Sequence, residues 1–91
     1  MKVEVKRSTR KFKKYMAIFD DGDITHFGDN RYEDYTMHKD NKRKTLYLNR
    51  HKKNENWNNY KSAGSLSRYL LWNLPTLKSS INDYKRRFNL N

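Results

Sequence analysis

The residues best suited to chemistry lie between His38 and Trp57, in the stretch HKDNKRKTLYLNRHKKNENW. It mixes histidine, lysine, aspartate and asparagine with Leu46, Tyr47, Leu48 and Trp57. Two catalytic readings come from these residue types. A phosphodiesterase of the phospholipase D kind needs H-x-K and then, after four further residues, aspartate. His51-x-Lys53 begins that pattern, but the aspartate position holds Asn58. An amide cannot replace the carboxylate that orients a nucleophilic histidine. A small metal-dependent nuclease of the hairpin-then-helix (HNH) kind would draw on His26, His38, His51 and Asn54. His38 and His51 lie about 220° apart around a continuous helix, so they cannot hold one ion from it. No catalytic residue, metal ligand or cofactor is therefore assigned. The sequence reads as non-enzymatic, with His51 at the edge of a core.

Charge points elsewhere. The chain carries 21 Lys and Arg against 10 Asp and Glu, a formal +11 in 91 residues. Residues 1–14 hold seven basic groups and one acid, residues 15–40 two and seven, residues 41–61 seven and one, and residues 62–91 five and one. A basic N-terminal stretch, an acidic hairpin region and a basic C-terminal half favour a polyanionic partner. Nucleic acid comes first and an acidic protein surface second. The acidic hairpin can also pair with the basic face of a second copy. On a helix over 42–53, Lys42, Arg43, Arg50 and Lys53 fall within an arc of roughly 100°, with Tyr47, Leu48 and His51 opposite. The expectation is a helix that docks Tyr47 and Leu48 on a sheet and turns its four cations outward. Trp57, Trp72, Tyr35, Tyr60 and Tyr69 can stack on bases. With so few aliphatic residues they are expected to form the core instead, Trp72 above all, while Trp57 suits either role equally.

The elements that must position these residues follow from pattern. Val3 and Val5 alternate with charged neighbours, as in a short edge strand. YMAIFDDGDITHFG places apolar runs on either side of Asp21-Gly22, a two-residue hairpin turn that pairs Phe19 with Ile24 and Ala17 with His26. One helix starts at a cap among Asp34, Thr36 and Asp40 and runs to about Lys53. A second starts at Ser65. A third follows Pro75, with Leu77, Ile81, Tyr84 and Phe88 on one face. The fold class is α+β: a small antiparallel sheet, made of an N-terminal strand and a β-hairpin, packed against two or three C-terminal helices. Residues 1–11 form a basic arm or edge strand, and residues 12–91 a single domain. The absence of cysteine excludes disulfides and thiolate zinc sites. No apolar run approaches the ~20 residues of a membrane span, and MKVEVKRSTRK lacks the apolar segment of a signal peptide. A protein that is neither secreted nor membrane-bound is expected.

Phe27-Gly28, Asp34-Tyr35-Thr36, His38-Lys39-Asp40, Arg50-His51, Trp57, Ala63-Gly64, Leu71-Trp72-Asn73 and Pro75-Thr76-Leu77 together carry a resemblance over residues 12–88. They resemble a family of short basic proteins of unknown function encoded by giant nucleocytoplasmic DNA viruses. The resemblance implies a viral setting, in the virion or in the interior of the infected cell. It brings no catalytic residues. The resulting expectation is a non-enzymatic viral protein that grips phosphates through Lys42, Arg43, Arg50 and Lys53. The arm residues Lys6, Arg7, Arg10, Lys11, Lys13 and Lys14 would assist, with DNA placed before RNA. The alternatives are a minor capsid or internal virion protein contacting other virion proteins, with an arm that orders on assembly, and then a small nuclease.

Overall fold

The alternation of Val3 and Val5 with Glu4 and Lys6 builds β1 (Val3–Arg7), and the apolar runs flanking Gly22 build β2 (Lys13–Phe19) and β3 (Ile24–Asp29). The computed structural model describes all residues 1–91. The three strands form one antiparallel sheet in the order β1-β2-β3. Helices α1 (Tyr35–His38), α2 (Asn41–His51), α3 (Ala63–Leu66) and α4 (Leu77–Arg87) follow, giving a mixed α+β architecture. A π-helical turn, Ser67–Leu71, continues α3.

The hairpin differs from expectation by one residue of register. Ile18 faces Ile24 and Ala17 faces Thr25, instead of Phe19 facing Ile24. The cause is the turn. The Gly22 N–H donates to the Phe19 carbonyl (3.0 Å), and the Phe19 N–H donates to the Asp23 carbonyl (2.9 Å). Gly22, at φ 98°, supplies the left-handed residue that closes a three-residue loop. A one-residue slip exchanges the faces of a strand. It buries Phe27 completely beside Ala17 and Phe19, and leaves Ile24 53% exposed.

Val3, Ala17, Phe19 and Phe27 form the sheet's half of the core; Leu66, Leu70, Leu71 and Tyr84 form the helical half. The π turn explains why Leu66, Leu70 and Leu71 are all buried, since its wider spacing returns position i+5 to the face of position i. Close approach to the sheet needs Gly28: a Cβ there would lie 2.8 Å from Leu71 Cδ1. The Tyr84 hydroxyl donates to the Tyr60 carbonyl (2.5 Å), and burial pushes its pKa well above the ordinary phenol value. β1 is an edge strand paired with β2 and Val3 is buried, so Val3–Arg7 is built into the sheet. The Val3 N–H also donates to the Asn91 carbonyl (3.1 Å).

Two helix starts are corrected. The single helix expected from Asp34 or Asp40 is two helices. Asp34 caps α1 through the Thr36 N–H (2.9 Å); Lys39 then adopts φ 55°; Asp40 caps α2 through the N–H groups of Lys42 (2.9 Å) and Arg43 (3.2 Å). Both caps operate, and the left-handed residue between them separates the two axes. Ser62, rather than Ser65, caps α3, accepting from the Ser65 N–H (3.1 Å). Ser65 is itself buried, and its hydroxyl donates to the Asn56 carbonyl (3.2 Å). Thr76, just after Pro75, caps α4 through the Ser79 N–H (3.1 Å).

Candidate nucleic-acid interface

Helix α2 turns Lys42, Arg43 and Arg50 outward, and Lys53 is exposed in the turn that follows. The capping Asp40 sits at the N-terminus and Arg50 and His51 lie in the last turn, as the helix dipole favours. Lys42, Arg50, Lys52 and Lys53 have no acidic partner. Arg43 reaches Glu33 at 3.6 Å, with both side chains about half exposed. Such a pair is worth little in water and leaves Arg43 available. Lys44 turns inward. Its ammonium donates to the Asn73 carbonyl (2.5 Å) and lies 4.7 Å from the centre of the Tyr35 ring. Burial, and then the nearby Arg68 cation, lower its pKa.

The inner face of α2 does not rest on the sheet, as the sequence suggested. Leu66, Leu70, Leu71 and Tyr84 already cover the sheet's core face, and α2 contributes no buried residue. Instead Tyr47 stacks face to face on Trp72 (4.2 Å between ring centres, 3° between planes), and His51 stacks on Tyr47 (4.1 Å, 26°). Burial pushes the Tyr47 hydroxyl up to about 12. Trp72 is thus a half-buried dock for α2 and not a central core residue. Glu55, which the sequence reading passed over, closes this end of the helix. It bonds His51 Nδ1 (3.2 Å) and accepts from Trp57 Nε1 (2.8 Å). Its i+4 spacing from His51 was the available signal.

The three histidines are held separately. His26 Nδ1 bonds the Ser8 hydroxyl (2.7 Å), His38 Nδ1 accepts from the Asp40 N–H (2.9 Å), and His51 meets Glu55. No three His, Cys, Asp or Glu side chains converge on a metal-sized site.

Of the N-terminal cations, Lys6, Arg7, Arg10, Lys11 and Lys13 are exposed. Lys6 lies 3.5 Å from Glu4. Lys14 is withdrawn from the surface: it pairs with the buried Asp34, and its side chain is only 11% exposed. It is a structural cation, since Asp34 needs a counter-charge where water is excluded.

The acidic region is largely neutralised within the chain. Lys61 bonds both Asp21 and Asp23, which raises the lysine and lowers Asp21. Hydrogen bonds from the side chain and backbone of Arg31 hold Asp29 at about 2. Burial works against ionisation of Asp83, but hydrogen bonds from Arg87, Asn73 and Arg86 outweigh it and hold its pKa down.

Unlike Trp72, the tyrosines expected in the core lie in it or against it. Tyr35 is buried, and Tyr60 and Tyr69 pack against the core. Trp57 is half-buried, with Arg68 5.3 Å from its ring centre. The exposed rings are Tyr32 (69%) and Phe12 (44%). A cleft of about 730 Å³ opens between α2, the loop at Tyr32–Asp34 and α3, bordered by Lys13, Tyr32, Arg43, Leu46, Arg50 and Trp72 among others. Four carboxylates also line it, Asp29, Glu33, Asp34 and Glu55, paired with Arg31, Arg43, Lys14 and His51 respectively.

The profile of a family of unknown function (DUF5754) matches residues 3–51, from β1 to the end of α2. The match starts earlier than the resemblance read from residues 12–88 and takes in β1. No curated protein and no solved structure matches the chain. Because the profile spans more than half of the 91 residues, including both the sheet and the cationic helix, the chain belongs to the DUF5754 family of unknown function.

Proposed function

We propose that this protein is a non-enzymatic nucleic-acid-binding protein that grips phosphates through the outer face of α2, with little base specificity. In this reading it is virus-encoded and works in the virion or inside the infected cell. The supporting observation is how the charges are engaged. Of the ten acids, seven pair with Lys or Arg, Glu55 bonds His51, Asp40 caps α2, and Asp20 alone has no such partner. Only seven of the 21 Lys and Arg bond an acid: Lys6, Lys14, Arg31, Arg43, Lys61, Arg86 and Arg87. The unpaired surplus includes Lys42, Arg50 and Lys53 around α2, and Arg7, Arg10, Lys11 and Lys13 at the sheet end. Polyphosphate is the anion that matches such a surplus, and backbone contacts position a protein without reading sequence.

Binding to duplex and to single-stranded DNA across a salt series tests this. Replacing Lys42, Arg43, Arg50 and Lys53 together with Gln keeps helix propensity close to that of the native residues. The slope of log affinity against log salt should shrink by roughly 0.9 per lost duplex contact, about 3–4 units in all. The loss should be the same on unrelated sequences. An unchanged slope rejects α2 as the phosphate face. Failure of the native protein to bind any nucleic acid, with binding to polyglutamate instead, rejects the reading in favour of an acidic virion-protein partner.

A further inference from the structure

Phe12 occupies the turn between β1 and β2 at φ 67°, a left-handed conformation that an aromatic residue rarely adopts. Glycine or asparagine would relieve that backbone, and the ring gains little burial in return, being 44% exposed. The surroundings nevertheless fix it. The Phe12 carbonyl accepts from the Asn30 N–H (3.0 Å), and the Arg31 guanidinium lies 4.5 Å from the ring centre. Arg31 is itself held by two hydrogen bonds to Asp29, at 3.0 and 2.8 Å. A ring displayed on a strained, well-supported backbone suggests a binding role.

Its neighbours indicate what it binds. Arg10, Lys11 and Lys13 have no acidic partner. Lys11 Nζ lies 5.0 Å from the ring centre, on a flexible exposed stem that can swing to a phosphate while Arg31 stays at the ring. Beyond Lys13 and the exposed ring of Tyr32, the 730 Å³ cleft leads to Arg43 and Arg50 on α2. A ring offered to solvent among cations suits a base with a free face, and in a duplex those faces are covered by stacked neighbours.

We propose that Phe12 is a stacking platform for an unpaired base of single-stranded nucleic acid, with Lys11 and Lys13 on the flanking phosphates and the strand continuing past Tyr32 along the cleft toward Arg50. This rests on the nucleic-acid reading and specifies its ligand. The test compares a labelled oligo(dT) with a duplex of equal length, using the native protein, Phe12→Asn and Phe12→Trp. Asn accepts the left-handed backbone, so its melting temperature should equal or exceed the native value. Its affinity for oligo(dT) should fall about 5- to 150-fold. Its affinity for duplex, and its salt slope on either ligand, should not change, because no charge is lost. Phe12→Trp should restore oligo(dT) binding. Undiminished oligo(dT) binding by Phe12→Asn overturns the platform while leaving the phosphate grip standing. So does an equal loss on both ligands, or an Asn variant that fails to fold, since Phe12 would then be a structural support. A native protein that binds duplex alone also rejects the platform only. One that binds neither rejects the nucleic-acid reading as a whole.

Discussion

Replacing Trp72 with alanine should detach α2 before it disturbs the sheet. Truncating a fully buried tryptophan costs about 3–5 kcal/mol. Trp72 is half-buried, which brings the burial part to about 2 kcal/mol. The lost face-to-face partner of Tyr47, at 4.2 Å and 3°, adds about 0.5–1.5 kcal/mol. The expected total is about 2.5–3.5 kcal/mol, and for a domain of this size it should lower the melting temperature by about 10–28 °C. Circular dichroism gives the midpoint, and hydrogen exchange gives the location. Amides of α2 should lose protection first, because its inner face rests on the Trp72–Tyr47–His51 stack. Amides of β2 should lose protection only to the extent of the global loss. Trp72→Phe keeps a flat ring against Tyr47 and should recover most of the stability. A midpoint shift below about 3 °C, or equal extra exposure of α2 and β2, would refute the docking argument.

Two further outcomes follow from the ion pairs. Lys14→Met removes the cation facing the buried Asp34 and should destabilise by about 3 kcal/mol in denaturant titrations, whereas Lys11→Met on the exposed turn should stay within about 0.5 kcal/mol. Equal effects would mean that Lys14 is as free as its neighbours. Stability should also fall in acid, in two ranges. Asp29, held at about 2 against an ordinary 3.8, favours the folded state above 3.8 and loses that contribution as pH falls toward 2. His26 is lowered by burial, then by Arg10 and Lys13, so the folded state favours its neutral form; that contribution is present above 6.5 and is lost as pH falls through the depressed folded value. Thermal melts of the native protein, Asp29→Asn and His26→Gln across pH separate the two ranges; superimposable profiles would contradict both assignments.

Local pattern made the elements legible, and non-local contact decided the rest. The Asp-Gly turn, the caps Asp34 and Asp40, and the Leu77–Ile81–Tyr84–Phe88 face can all be read along the chain, because each depends on residues within a turn of one another. The hairpin register could not be read this way. It depends on whether Gly22 closes a two- or a three-residue loop, and burial of Phe27 against the C-terminal helices favours the latter. Trp72 reads as core in an apolar run, but the space under the sheet is filled by Leu66, Leu70, Leu71 and Tyr84. Lys14 looks like one more surface cation until the chain folds Asp34 against it, twenty residues on. The exposure of Phe12 is equally hidden, since nothing in RSTRKFKK announces a positive φ.

The same non-local pairing gives the +11 charge its direction. An acid and a cation in contact largely cancel beyond a Debye length of about 8 Å, so the engaged acids mute the region around Lys61, Arg31 and Arg87. What remains is concentrated on α2 with the turn after it, and on the β1–β2 turn with the start of β2. These two groups are far apart in sequence, yet both border the cleft, through Lys13 on one side and Arg50 on the other. A short anion would satisfy only one of them. On the proposed reading a chain of phosphates would satisfy both by passing between them, beside Tyr32, the most exposed large apolar side chain of the molecule.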